Sequence, residues 1–185
     1  MDTAELKRAS GALGQNATAD QITLGAPTPQ DGPAVHALIG ACPPLDRNSA
    51  YCNALQCTHF ADTCVLARRD GAPVGWISAY RKPEAAETLF VWQVAVSSEA
   101  RGEGLALRML EALLAREACQ GVQRLETTIT SSNAASWALF RRLAERLRAP
   151  LKHRPWLLEG SELPAGAPTE HLLAIGPFPA PPQQS

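Results

Sequence analysis

Apolar positions along the chain change period several times, and each change marks an element. Ile22 and Leu24 alternate with polar residues, as one face of a short strand would. Val35, Leu38 and Ile39 fall at helical spacing and predict a helix within residues 29–42, stopped by Pro43-Pro44. A second helix starts at Asn48 or Ser49, since either side chain can cap free amides, and runs through Tyr51, Leu55 and His59. Residues 63–68 and 74–80 flank Asp70-Gly71, a dipeptide suited to a tight turn, so they are expected to form an antiparallel hairpin. The apolar run 89–96 reads as a longer strand. It leads through a polar turn into a helix on which Leu105, Met109 and Leu113 recur every fourth residue. Residues 122–130 supply another strand, and Asn133 is placed to cap a helix with Trp137, Phe140, Leu143 and Leu147 on one face. Residues 171–175 are expected to close the sheet. Strands interleaved with helices favour an α/β sheet over a bundle or sandwich. Residues 1–19 lack periodicity and are expected to be a disordered leader, with a proline-rich tail at 179–185 and one domain at 20–178.

Composition narrows the function classes. The 185 residues fit one domain, and 45% hydrophobic content allows a sizeable core. Seventeen Lys and Arg against eighteen Asp and Glu give a formal charge of -1, without the positive excess that favours nucleic acid. No apolar run spans a bilayer and no secretion signal opens the chain, so a cytoplasmic protein is expected, with no membrane partner. Five cysteines form no Cys-x-x-Cys pair and are expected to be reduced and mostly buried. The four histidines are too scattered for a local metal motif, and no metal is expected.

The turn Arg101-Gly102-Glu103-Gly104-Leu105-Ala106 stands at a helix start. Its glycines permit close backbone approach, and the free amides and positive dipole end suit an anion such as pyrophosphate. A plain helix-entry turn is the other reading. Neither a Rossmann fingerprint nor a P-loop is present. The turn does resemble motif A of the GCN5-related N-acetyltransferases (GNAT), Gln/Arg-x-x-Gly-x-Gly/Ala, through Arg101, Gly104 and Ala106 after Val94-Ala95-Val96. That resemblance implies a GNAT fold: a mixed, mostly antiparallel central sheet flanked by helices, with a splayed strand pair holding acetyl-CoA. It also implies that the loop 101–106 holds the pyrophosphate, that Val94, Ala95 and Val96 meet the pantetheine arm, and that Asn133 contacts the cofactor. Many members carry a tyrosine acid in the last helix. Here the matching residue is Phe140, which cannot donate a proton, so another donor, a water or direct thiolate departure must serve.

Longer strings, including Cys42-Pro-Pro-Leu-Asp-Arg-Asn-Ser-Ala-Tyr51, Phe90-Val-Trp-Gln-Val-Ala-Val96 and Leu125-Glu-Thr-Thr-Ile-Thr130, resemble the diaminobutyrate-acetylating branch of that superfamily. The implied reaction is acetyl transfer from acetyl-CoA to the N4 amine of L-2,4-diaminobutyrate, a step of ectoine synthesis, in a homodimer. A substrate with two ammonium groups needs acidic partners. Asp46 and Glu126 are suited to that role. Asp46 is otherwise a helix-entry residue, and Glu126 otherwise belongs to a structural salt bridge. Trp92 walls the substrate or packs, and Tyr51 orients substrate or polarises the thioester. Asn133 is included among substrate contacts. Trp137 is expected in the core. Glu126 is expected to remove the amine proton through water, with Tyr51 assisting, while amides around residues 94–96 stabilise the oxyanion. A cysteine acyl-enzyme competes, but no cysteine carries an activating signature. The Gly-Glu-His-Asp stretch of the family is absent, so His171 is either a displaced substrate-side histidine or an edge-strand residue. Another amine substrate and a non-catalytic acetyl-CoA sensor remain the alternatives.

Overall fold

Seven strands form one sheet in the order β1-β2-β3-β4-β5-β7-β6. They are β1 (Ile22–Gly25), β2 (Val65–Arg69), β3 (Ala72–Lys82), β4 (Ala85–Val96), β5 (Arg124–Thr130), β6 (Leu151–Leu157) and β7 (Glu170–Ile175). The helices are α1 (Gly32–Gly40), α2 (Ala50–Gln56), α3 (Leu105–Leu114) and α4 (Ala134–Leu147). This computed structural model describes residues 21–179, so the expected leader at 1–19 and residues 180–185 of the expected tail lie outside the described residues. All neighbours in the sheet are antiparallel except β4 and β5, which run parallel. The mixed, mostly antiparallel sheet of the sequence reading is therefore present. No helix among the described residues is long and apolar enough to cross a membrane.

Local chemistry explains most boundaries. Asp70 and Gly71 both have positive φ, 51° and 83°, which is the backbone a two-residue hairpin turn needs to follow strand twist. Ser49 caps α2 by accepting from the Cys52 amide at 3.1 Å, and Asn133 caps α4 by accepting from the Ser136 amide at 3.1 Å. The first helix is shorter than its apolar spacing predicts, because residues 29–31 form a 3-10 turn before α1 begins. The sequence reading missed β6, whose side chains are nearly all exposed and which contains Pro155. Proline is tolerated there because β6 is an edge strand. β7 lies inside that edge, so His171 is not an edge-strand residue.

Two core layers sandwich part of the sheet. One packs Leu105, Met109, Leu110 and Leu113 of α3 and Phe140 and Leu143 of α4 against Ile77, Val91, Leu125, Ile129 and Leu173. The opposite layer packs Val35, Leu38 and Ile39 of α1 against Leu66, Trp76 and Ala95. That second layer includes no residue of β5, β6 or β7. One half of the sheet face is consequently left open, and the side chains alternating away from α4 stand on it.

Candidate active site

The parallel pairing of β4 and β5 runs from Thr88 opposite Arg124 to Val91 opposite Thr127 and stops there. Both strands continue, β4 to Val96 and β5 to Thr130. The pair therefore splays, and residues 93–96 keep an antiparallel partner only on the β3 side. A bulge marks the same point: Ser78 opposes Gln93 and Ala79 opposes Val91, so Trp92 has no partner. Bulges re-aim side chains, and Trp92 is 48% exposed at the mouth of the gap. Backbone groups alternate sides along the strand, so those of Val94 and Val96 border a space where an extended amide-bearing arm can lie, while Ala95 turns its own to β3.

The loop after β4 completes that side. Gly102 and Gly104 have φ of 83° and 71°, and a Cβ at either would meet no atom within 4 Å. Backbone conformation, rather than crowding within the chain, makes them glycine. Gly104 caps α3 without a side-chain acceptor, leaving the first-turn amides of Leu105 and Ala106 free to bind an anion. Arg101 folds back to donate from Nε to the Val96 carbonyl at 3.1 Å, and Glu103 pairs with Arg69 at 2.7 Å. Both contacts tie the loop to the sheet. The residues present fit the pyrophosphate and pantetheine of acetyl-CoA.

Acidic side chains gather on the open face. Gln93, buried in the splayed half of β4, donates from Nε2 to the Asp46 carbonyl at 2.7 Å and accepts from Asn48 Nδ2 at 3.2 Å. This clamp holds the 46–48 segment against the gap. Glu126 Oε2 accepts from Lys82 Nζ at 3.0 Å, and the two side chains are 17% and 29% exposed. Lys82 also lies 3.8 Å from Glu84, and its ammonium is held above its usual range chiefly by the bond to Glu126. On β7, Glu170 lies opposite Thr130. Burial raises its carboxyl above the ordinary range, and the nearby Asp46 charge raises it further, while the Thr128 hydroxyl and His171 oppose the shift. Tyr80, Phe90 and Trp156 line the same face, with ring centroids 5.3 and 6.4 Å apart along the series.

Most sequence-predicted residues fall around the gap: Trp92, Val94, Ala95, Val96, Arg101 to Ala106, Asp46, Glu126 and Asn133. Tyr51 does not join them by contact; it stands 73% exposed in the first turn of α2. His171 lies opposite Ile129, on the side of the sheet that α4 covers, with ring centroids 6.2 Å from Trp137 and 6.1 Å from His153. Trp137 packs against the core and donates to the Thr130 carbonyl at 3.1 Å. Sequence reasoning missed Glu170, Gln93 and Lys82. A buried glutamine inside an apolar strand was a usable signal for Gln93, and alternation next to His171 was one for Glu170; nothing in the local sequence marks Lys82. Phe140 is buried in the core beside Leu143. The five cysteines are free thiols, four of them buried. Burial pushes Cys57 and Cys119 up to about 11 and Cys64 up to about 12, away from nucleophilic thiolate.

A splayed parallel pair, a glycine loop feeding an uncapped helix and a capped final helix define an acyl-carrier site, and residues 33–144 match the acetyltransferase (GNAT) family. The chain belongs to that family. More narrowly, it is 50% identical over 159 residues to the L-2,4-diaminobutyric acid acetyltransferase of Methylotuvimicrobium alcaliphilum, covering 86% of this chain and 92% of that relative. It is 44% identical over 178 residues to the enzyme of the same name from Halomonas elongata, covering 96% and 91%. Among solved structures it resembles the diaminobutyrate acetyltransferase EctA of Paenibacillus lautus in complex with L-2,4-diaminobutyric acid and coenzyme A. That match has a TM-score of 0.78 and 42% identity, covering 86% of this chain and 96% of that one.

Proposed function

We propose that this chain is an L-2,4-diaminobutyrate N4-acetyltransferase, giving N4-acetyl-L-2,4-diaminobutyrate as the acetylation step of ectoine biosynthesis. The observation that carries the reading is the gathering of Asp46, Glu126 and Glu170 on the open face beside the β4–β5 gap. A doubly cationic amino acid suits such a face, and the P. lautus enzyme of similar fold binds that amino acid and coenzyme A.

Acetyl-CoA supplies the acetyl group as an activated thioester. The chain's residues do the rest. An amine with pKa near 10.4 is mostly protonated at neutral pH, so its proton must leave before its lone pair can attack. Glu170 is the carboxylate suited to receive it through water, while Glu126, paired with Lys82, faces the other ammonium. Glu170 is the better matched acceptor, because its raised carboxyl holds a proton more readily than an ordinary glutamate. Asp46 adds negative charge that favours the ammonium on arrival. The backbone amides of Val94 and Val96, which face the gap, donate to the carbonyl oxygen as negative charge grows there. The nitrogen–carbon bond forms as the carbon–sulfur bond breaks, with no cysteine ester between. Since Phe140 offers no proton, the sulfur departs as thiolate or takes its proton from water. Asn133 and the loop 101–106 hold the cofactor, Trp92 walls the substrate, and the Tyr51 hydroxyl orients it. We place the enzyme in the cytoplasm as a homodimer; exposed Trp156 and Leu158 near the β6 edge support a second copy there.

A thiol-release assay over diamino acids and polyamines, with mass spectrometry locating the acetyl group, tests the reading. Turnover of L-2,4-diaminobutyrate with acetyl on N4 is expected; preference for a polyamine contradicts it. Phe140 lends support to one other reading, a non-catalytic acetyl-CoA sensor. Free CoA released with diaminobutyrate, and none with acetyl-CoA alone, excludes that sensor.

A further inference from the structure

We infer that the Lys82–Glu126 ion pair clamps the amino-acid end of the substrate, and that Lys82 selects an amine bearing a carboxylate over a plain diamine. The inference rests on the diaminobutyrate reading above. The pair is a formed ion pair that a ligand can still reach. Its atoms lie 3.0 Å apart on the helix-free face, and both side chains keep solvent exposure. An amino acid carries its ammonium and carboxylate on one carbon, so its two charges sit about as close together as these two and of opposite order. Docked head to tail, the α-ammonium meets Glu126 and the α-carboxylate meets Lys82, and every ion keeps a partner. A plain diamine would draw Glu126 and leave Lys82 less compensated, which is a cost of the kind that produces specificity.

The position of the pair also sets which amine reacts. Glu126 lies opposite Phe90, one residue before the last β4–β5 partners, Val91 and Thr127. The amino-acid end is then held where the strands are still joined. The side-chain amine extends toward the splayed end, where Thr128 and Glu170 stand on the same face. The α-amine is thereby kept off the thioester. Lys152 and Arg154 share this face through their register with Ala174 and Leu172, but both are exposed on the edge strand and neither is paired with a pocket carboxylate among the described residues.

The test compares wild type, Lys82→Met, Lys82→Gln and Lys82→Arg on L-2,4-diaminobutyrate and on 1,3-diaminopropane, which is the same diamine without the carboxylate. Thiol release gives kcat and KM, mass spectrometry gives the acetylated nitrogen, and thermal melting confirms that each variant folds. For Lys82→Met and Lys82→Gln we expect kcat/KM on diaminobutyrate to fall roughly 10- to 100-fold, the worth of a charged hydrogen bond, mostly through KM. The diaminopropane value should rise, since no lysine is then left uncompensated, some N2 product should appear, and Lys82→Arg should keep most of the preference. Equal loss on both substrates, or no loss on diaminobutyrate, overturns the clamp. Wild-type enzyme inactive on diaminobutyrate overturns the functional reading instead, so the two failures are distinct.

Discussion

The two halves of the proposed site are made of different material. The cofactor half is backbone: a strand edge without a partner, two glycines at positive φ and the free amides of a helix start, all within residues 92–106. The proposed amine half is side chain: Lys82, Glu126 and Glu170 come from β3, β5 and β7 of one sheet, and Asp46 from the loop before α2, tied in by Gln93 of β4. A backbone site serves any bearer of the same carrier. A side-chain site decides which amine is acetylated. Changes to one half should therefore leave the other measurable.

The largest effect should come from Glu170→Gln. Removing a general base costs about 100- to 10,000-fold in kcat, with acetyl-CoA affinity unchanged in calorimetry. The same variant carries a stability signature. A carboxyl raised on folding makes the folded state hold its proton more firmly than the unfolded state. Wild-type stability thus falls as pH rises from the ordinary glutamate range through the raised folded pKa, and Glu170→Gln should melt higher than wild type at neutral pH. That advantage should shrink below the unfolded pKa; a variant less stable at pH 7 would contradict the burial argument. Gly104→Val strikes the other half. Forcing a side chain into the left-handed region costs about 1–2 kcal/mol before any clash with ligand, so the KM for acetyl-CoA should rise about 10-fold or more while diaminobutyrate KM holds. Equal rises in both would erase the separation. Gln93→Leu should act more gently. Losing the neutral bonds that hold the Asp46 segment is worth about 0.5–1.5 kcal/mol, a few-fold in diaminobutyrate KM with little change in kcat. Smallest of all, Cys57→Ala, Cys64→Ala and Cys119→Ala should leave kcat unchanged, because thiols held at about 11 to 12 supply almost no thiolate.

This difference in material also explains what the sequence disclosed. The hairpin at Asp70-Gly71, the caps at Ser49 and Asn133 and the glycine loop each depend on residues a few positions apart, and each was legible. The strand β6 was not, because an edge strand with exposed side chains carries neither alternation nor an apolar run. Glu126 was visible as a carboxylate in a strand of threonines, but its partner Lys82 is 44 positions away and offers no local signal. Glu170 was overshadowed by His171. The pleat sends these neighbours to opposite faces, the glutamate to the open side and the histidine under α4. Tyr51 shows the converse: a residue assigned by resemblance stands in solvent, and what it touches depends on more than its position in the chain.

Calorimetry and turnover of a Glu126→Gln/Glu170→Gln double variant bear most directly on two halves meeting at the strand gap. Coenzyme A should bind as tightly as it does to wild type, while acetylation of L-2,4-diaminobutyrate is lost. Weakened coenzyme A binding, or acetylation at the wild-type rate, would contradict it.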